Sequence, residues 1–287
     1  MGAPPSVSVI VPAYRQAALI GGCLDSIAAQ GYRGRVEVIV VDDGCPESSG
    51  DVAARHGLGA TVIRQANAGV AAARNRGIAE ASGRVLAFVD ADDRWHKEKL
   101  ERQMAALEAR PGPALSFTRY RRVDPEGKAL EGFAHPEAEL RPSSKRLARQ
   151  NFIGCSTVAV HRACIDAVGG FPDSEELRRG GQDYALWLRL ASRFPLVYVP
   201  AILTDYTVHP GNRVGADLIK NYEAAFFALH DFHRWDPAGF RGACGGSYRA
   251  VVARCGADLL RVLPRAPGVS GAMLLRALSV IGTAMRR

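Results

Sequence analysis

At 287 residues with 47% hydrophobic content, the chain has ample material for a buried core and reads as one large domain or one domain with an extension. The formal charge, 37 − 29 = +8, is uneven: residues 220–287 hold ten Lys/Arg against four Asp/Glu, or +6. That asymmetry suits an acidic partner such as anionic lipid or a polyanionic acceptor, and equally an Arg-rich set of solvated helix faces. Six cysteines form no C-x-x-C pair and no metal-finger spacing, which sets aside zinc modules and points to free thiols in a reducing cytoplasm. The N-terminal MGAPPSVSVIVPAYR has no basic leader and only a five-residue apolar run, so no signal peptide is expected. Ala272 to Ala284, interrupted by Arg276, is too short to span a bilayer.

In chain order, Val7 to Val11 is a β-branched strand closed by Pro12. Leu19, Ile20, Cys23, Leu24, Ile27 and Ala28 fall at helical spacing, with Gly31 as the stop. Val36 to Val41 is a second buried strand, ending in Asp42-Asp43-Gly44. A helix from Glu47 to His56, a strand from Thr61 to Arg64 and an Ala-rich helix from Val70 to Ala81 follow. Val85 to Val89 is an apolar strand that stops on Asp90, Asp92 and Asp93. Crowded carboxylates at the end of a buried strand repel one another and call for a cation; hard oxygen ligands suit Mg2+ or Mn2+, whose natural partner is a phosphate. The other reading is that these acids only start the next helix, Trp95 to Arg110.

Strand–helix alternation with short links predicts a mostly parallel, doubly wound α/β sheet, with ligands beyond the carboxyl ends of the strands near the reversal of strand order. Pro12-Ala13-Tyr14, Asp42-Asp43 and Asp90-Ala91-Asp92 are expected to converge there. No G-x-G-x-x-G follows any strand, which disfavours an NAD site. Past Arg110, Ala114 to Thr118 is strand-like, Arg121 to Arg141 a surface loop or hairpin, and Phe152 to Val160 an apolar strand. Gly169-Gly170-Phe171-Pro172 is a turn, and Tyr184 to Leu190 marks a helix with Gln182-Asp183 in its first turn. Strands at Leu196 to Val199 and Leu203 to Val208 precede His209-Pro210-Gly211-Asn212. Helices are expected over Asp217 to His233, Tyr248 to Leu263 and Ala272 to Met285.

Seven segments, in order over residues 6–213, resemble the family 2 inverting glycosyltransferases of the GT-A fold: SVIVPAYR, VVDDG, NAGVAAARNRG, FVDADD, GGFPDS, QDYALWLRL and HPGN. The resemblance implies a Rossmann-like GT-A domain over 1–213 with a helical C-terminal extension over 214–287. It further implies a metal-dependent hexosyl transfer from a nucleoside-diphosphate sugar, UDP-linked by default, to a glycan, lipid-linked or small-molecule acceptor. By position, Tyr14 with the backbone of Pro12 and Ala13 would flank the base, Asp42 would read a base edge, and Asn67 and Arg74 would pack near the nucleoside. Arg74 is equally readable as a structural partner of Asp42 or Asp90. Asp92 and Asp90 match the Asp-x-Asp metal motif, with Asp90 nearer ribose, and Asp93 reads as a helix-capping acid. Asp183 matches the base that deprotonates the acceptor hydroxyl; an N-terminal cap is the plainer reading. The family commonly has Glu-Asp where this chain has Gln182-Asp183. His209 matches a metal or diphosphate ligand in some relatives, and is also compatible with a surface turn. Trp95 and Trp187 read as core residues.

Two other readings remain at this point. A sugar nucleotidyltransferase would want a Gly-rich, Lys-containing loop where this chain has PAYRQAAL, and a non-catalytic nucleotide- or glycan-binding protein would not need Asp183. The expected location is cytoplasmic; the basic C-terminal helices are readable as packing back on the domain or pairing two copies, and alternatively as resting on the inner face of a membrane. Nucleic acid is not an expected partner.

Overall fold

The computed structural model describes residues 3–137, 139–209, 218–262 and 282. The chain divides into two compact units, the first comprising Met1–Ser143, Phe152–Phe171 and Arg193–Pro210, the second Ser144–Asn151, Pro172–Ser192 and Gly211–Arg287.

The first unit begins with the alternation its sequence dictates: β1 (Val7–Ala13), α1 (Ile20–Ala28), β2 (Val36–Asp43), α2 (Ser49–Arg55), β3 (Thr61–Gln65), α3 (Val70–Glu80) and β4 (Val85–Phe88). These four strands lie in the order β3-β2-β1-β4 and are all parallel, so the order reverses between β1 and β4. Both faces are covered, which is why the strands are continuous apolar runs rather than alternating ones. Val9, Val11, Val38, Val40 and Ala87 pack with Leu24 and Ile27 of α1, while Ile39 and Val41 meet Ala73 of α3 on the other face. A fully buried aliphatic side chain of this size stabilises the fold by about 1.5–3 kcal/mol. The approach of α3 to β1 depends on Gly77, where a Cβ would lie 2.5 Å from Ile10 Cγ2.

The chain then continues with β5 (Arg94–Trp95), α4 (Lys99–Glu108), β6 (Leu115–Val123) and β7 (Ala129–His135). A short helix, α5 (Ser144–Leu147), belongs to the second unit; a 3-10 turn at Cys155–Thr157, β8 (Ala159–His161) and α6 (Arg162–Val168) return to the first. In the second unit α7 (Gln182–Arg193) follows, and β9 (Leu196–Thr207) completes the sheet of the first. The full strand order is β3-β2-β1-β4-β8-β6-β9-β5, with β7 paired to β6. β6 and β9 are parallel, while β8, β7 and β5 pair antiparallel with their neighbours.

Four local expectations are corrected. The helix expected from Trp95 starts at Lys99, because Arg94 and Trp95 pair instead with Asp205 and Thr204 as β5. Asp93 therefore caps no helix; it is buried and bonded to Ser156 and the Thr207 backbone. The apolar run from Phe152 is a 3-10 turn and a three-residue strand, its polar Ser156-Thr157 step turning inward. The two strands expected at Leu196 to Val208 are one, β9, bulged where the register shifts between Thr118 and Arg119 of β6. Arg121 to Arg141 carries the end of β6 and all of β7, which pair antiparallel as a hairpin, one of its two readings.

The second unit adds α8 (Leu218–Trp235), α9 (Pro237–Cys244) and α10 (Tyr248–Val262). Its internal ties are long-range. The Tyr184 hydroxyl of α7 donates to Leu147 O at 2.7 Å, and Arg189 of α7 forks onto both carboxylate oxygens of Asp231 in α8 at 2.8–3.0 Å. Trp187 is fully buried, as read from the sequence. The expected boundary at 213/214, residues Pro210–Asn212 and, residue 282 apart, the Ala272 to Met285 helix lie outside the described residues. Among the described residues, no helix is long and apolar enough to cross a membrane.

Candidate active site

The carboxyl ends of β1, β2 and β4 carry the polar groups. At the end of β4, Asp90 is half-buried and receives the guanidinium of Arg74, delivered from α3, at 2.5 Å. Of the readings for Arg74, a partner for Asp90 is the one the geometry adopts, with the same guanidinium lying over the Phe171 ring at 5.2 Å. Two residues on, Asp92 Oδ2 meets His209 Nε2 at 2.9 Å and accepts from Gln16 Nε2 at 3.3 Å. Burial, and next the charge of Asp90, push the Asp92 carboxyl up from its ordinary value, while His209 pulls it down. Asp93 is pushed up well beyond the usual range by burial and by Asp92 and Asp90. The cluster is thus an excess of negative charge that burial makes costly.

Ser156 holds this loop in shape and was not singled out in the sequence. Its hydroxyl accepts from Asp90 N–H at 3.0 Å and donates to Asp93 Oδ2, and its carbonyl takes the Trp95 indole N–H at 2.8 Å. The only sequence signal was a Ser-Thr pair inside an apolar run. Asp93 also accepts the Thr207 N–H at 3.0 Å, tying β9 to the same loop two residues before His209. Gln16 was likewise missed, because nothing in PAYRQAAL separates it from any exposed glutamine.

On the β2 side, Asp42 is 6% exposed and accepts Cys45 N–H at 2.8 Å and Gly50 N–H at 3.1 Å, one on each oxygen. Gly50 is required there: a Cβ would sit 2.3 Å from Asp42 Oδ2. Asp43 binds Gln65 Nε2, Ala68 N–H and Gly69 N–H, which pins the approach to α3 and so the position of Arg74. Asn67 is exposed and donates to Asp43 O at 3.0 Å. Pro12 and Ala13 are buried at the end of β1; Tyr14 is partly exposed, with the Arg15 guanidinium over its ring at 5.5 Å. Arg15 adopts φ 55°, and its N–H points at Cys45 Sγ, 3.0 Å away, so the segment after β1 is fastened to the segment after β2.

The structure therefore pairs Arg74 with Asp90 and His209 with Asp92, and sets Asp42 and Asn67 among the backbone of the β2 and β3 ends. Asp183 lies in the other unit, in the first turn of α7, where Oδ1 accepts the Tyr184 N–H at 2.8 Å. No group of three or more His, Cys, Asp and Glu side chains forms a metal cage among the described residues. The donor chemistry still fits a hard cation of the Mg2+ type, which keeps waters and takes one or two carboxylates plus substrate phosphates rather than a full protein cage.

Comparison with known proteins agrees with this geometry. The profile of Glycosyl transferase family 2 matches residues 8–165, over half of the chain. TuaG of Bacillus subtilis, named a teichuronic acid biosynthesis glycosyltransferase, is 29% identical over 235 residues, 80% of this chain and 89% of its own length. Glycosyltransferase AglE of Haloferax volcanii is 28% identical over 229 residues, 76% of this chain and 71% of its own. Among solved structures, S. aureus TarS 1-349 superposes with TM-score 0.69 at 19% identity, covering 98% of this chain and 81% of TarS 1-349. The Pyrobaculum calidifontis mannosyltransferase PcManGT, in complex with GDP-Man and Mn2+, gives TM-score 0.58 at 19% identity, covering 99% and 88%. With a GT-A fold, an acid cluster at the strand-order reversal and a family match across the whole β1–β8 region, this chain belongs to glycosyl transferase family 2.

Proposed function

We propose that the protein is a metal-dependent, inverting glycosyltransferase that moves a sugar from a UDP-sugar to a hydroxyl of a glycan, lipid-linked or small-molecule acceptor. The observation that carries the reading is the Asp90–Asp92 pair at the end of β4, with Arg74 on the first and His209 and Gln16 on the second. TarS, which shares the fold, has been solved with UDP and with UDP-GlcNAc, and PcManGT with GDP-Man and Mn2+. Asp92, Asp90 and His209 are the residues that would hold Mn2+ or Mg2+, which when bound supplies charge neutralisation for a departing diphosphate.

This chain's own groups do the rest. Arg74 neutralises and orients Asp90, leaving its second oxygen for ribose or metal. Asp42, fixed by Cys45 and Gly50, presents remaining lone pairs to a base-edge N–H, with Tyr14 flanking the base and Asn67 alongside. His209 and Gln16 hold Asp92 in one rotamer. Asp183 is the proposed base: an inverting transfer is one in-line displacement, so the acceptor hydroxyl must lose its proton opposite the leaving group. The place of Asp183 in the first turn of α7 is one where the helix dipole favours negative charge.

The test is Asp183→Asn, measured as UDP release from UDP-sugars with a panel of p-nitrophenyl glycosides as acceptors. Turnover falls by about 10²–10⁴-fold while UDP affinity is kept. Unchanged turnover rejects Asp183 as the base.

A further inference from the structure

Beyond β4, the sheet continues through β8 to β6 and β9, away from the β1–β2 side assigned above to the nucleoside. In the parallel β6–β9 pair, Tyr120 lies opposite Thr204 and Arg122 opposite Tyr206. Residues paired in this way share a sheet face, and alternation puts both pairs on the same one. That face meets the Gly154–Thr157 segment. Thr204 Oγ1 donates to Ser156 O at 3.3 Å, and a Cβ on Gly154 would sit 3.4 Å from the Tyr120 ring. It is therefore the face on which Ser156 binds Asp90 and Asp93.

Three rings cluster here. Tyr120 and Tyr206 have centroids 5.9 Å apart at 56°, and His135 of β7 stands edge-on to Tyr120 at 5.7 Å and 74°. All three are partly exposed, neither sealed in the core nor fully solvated. The Tyr206 hydroxyl is pushed up by burial and then by the charges of Asp93, Asp92 and Asp90, which places it within their field. Large aromatic faces with polar tips match a pyranose ring, whose axial C–H groups form an apolar face inside a rim of hydroxyls. A transfer at the Asp90–Asp92 end also needs its second substrate held in place on the side away from the nucleoside.

We propose that Tyr120, Tyr206 and His135 form a stacking subsite for a pyranose ring of the acceptor. This deepens the glycosyltransferase reading and rests on it for the word acceptor; the sugar-binding shelf itself is tested without nucleotide. The shelf takes carbohydrate through ring faces rather than through charge.

The experiment is saturation-transfer-difference NMR on the full chain with methyl β-D-glucopyranoside, methyl N-acetyl-β-D-glucosaminide and methyl β-D-glucuronide, without and then with UDP. The expected result is transfer to at least one glycoside, strongest at its axial ring protons and retained when UDP is added. Tyr120→Ala and Tyr206→Ala lower the apparent affinity by fivefold or more, and Tyr206→Phe keeps most of it. Tyr120→Leu, which preserves bulk but removes the ring, gives the same loss should the alanine variant fail to fold. No transfer to any of the three, displacement by UDP, or equal binding in the ring-deleted variants overturns the proposal. Glycoside binding with no UDP-dependent shift in unfolding midpoint would defeat the donor reading and leave the shelf standing.

Discussion

Ser156 concentrates the logic of the site in one side chain. It joins Asp90 N–H to Asp93 Oδ2 and is 4% exposed, so neither partner finds water when the hydroxyl is removed. Leaving buried polar groups unmatched costs about 1–3 kcal/mol. Ser156→Ala is expected to lower stability in urea by that amount and to weaken metal-dependent UDP binding, because Asp90 and Asp93, which flank Asp92, lose their support. Full UDP affinity in a destabilised Ser156→Ala protein would mean the residue serves folding alone. Gly50→Ala probes the other end: its Cβ would meet Asp42 Oδ2 at 2.3 Å, so Asp42 must move. Overpacking of this kind costs about 1–3 kcal/mol, and UDP affinity should drop while any Mn2+ binding at Asp90–Asp92 persists, read by calorimetry. The carboxylates were legible in the sequence because acids at the end of an apolar run are conspicuous. Ser156 and Gln16 were not, because their roles exist only once segments 66 and 76 residues away arrive.

The elements divide in the same way. β1 to β4 follow from β-branched runs, and α1 and α3 from helical spacing, because each buries a face set by its own period. β5 could not be read: two residues form a strand only because β9 offers Thr204 and Asp205 as partners. Trp95, expected at the start of a helix, is instead buried in the sheet with Lys99 Nζ 4.1 Å from its ring centroid. At the opposite end of the sheet from the acids, Glu37 of β2 fastens the turn before β4. It accepts Ser82 N–H and Gly83 N–H, the Ser82 hydroxyl and the Ser8 hydroxyl. Burial pushes its carboxyl up, but these bonds together hold it below the ordinary value. A carboxyl depressed in the folded state contributes stability above its unfolded pKa of about 4.3. That contribution is lost as pH falls through the lower folded value. Glu37→Gln should therefore lower the unfolding midpoint at pH 7, and the gap from the unmodified protein should narrow as pH falls below about 4. A gap that is independent of pH would show that the charge of Glu37 is not what fastens the turn.

At the scale of the molecule, the order of segments was legible and the long-range ties were not. Residues 144–151 and 172–192 group with the C-terminal helices through ties such as Tyr184 to Leu147 and Arg189 to Asp231. Such ties join residues 37 and 42 positions apart, and no local pattern announces them. Asp183, the proposed base, accordingly sits on a helix of the second unit, while Asp42, Arg74, Asp90, Asp92 and His209 belong to the first. In the function proposed here, the first unit binds a uridine diphosphate through a divalent cation at Asp90 and Asp92. Its most direct test is thermal unfolding with UDP, GDP, CDP, dTDP or ADP, each with Mn2+, Mg2+ or EDTA, since a ligand of the folded state raises the midpoint by mass action. The expected result is a rise with UDP and Mn2+ or Mg2+ that disappears in EDTA and in Asp92→Asn. A rise with another nucleotide alone would contradict the assignment of Asp42 to uracil, and no rise with any nucleotide in a folded sample would contradict the claim as a whole.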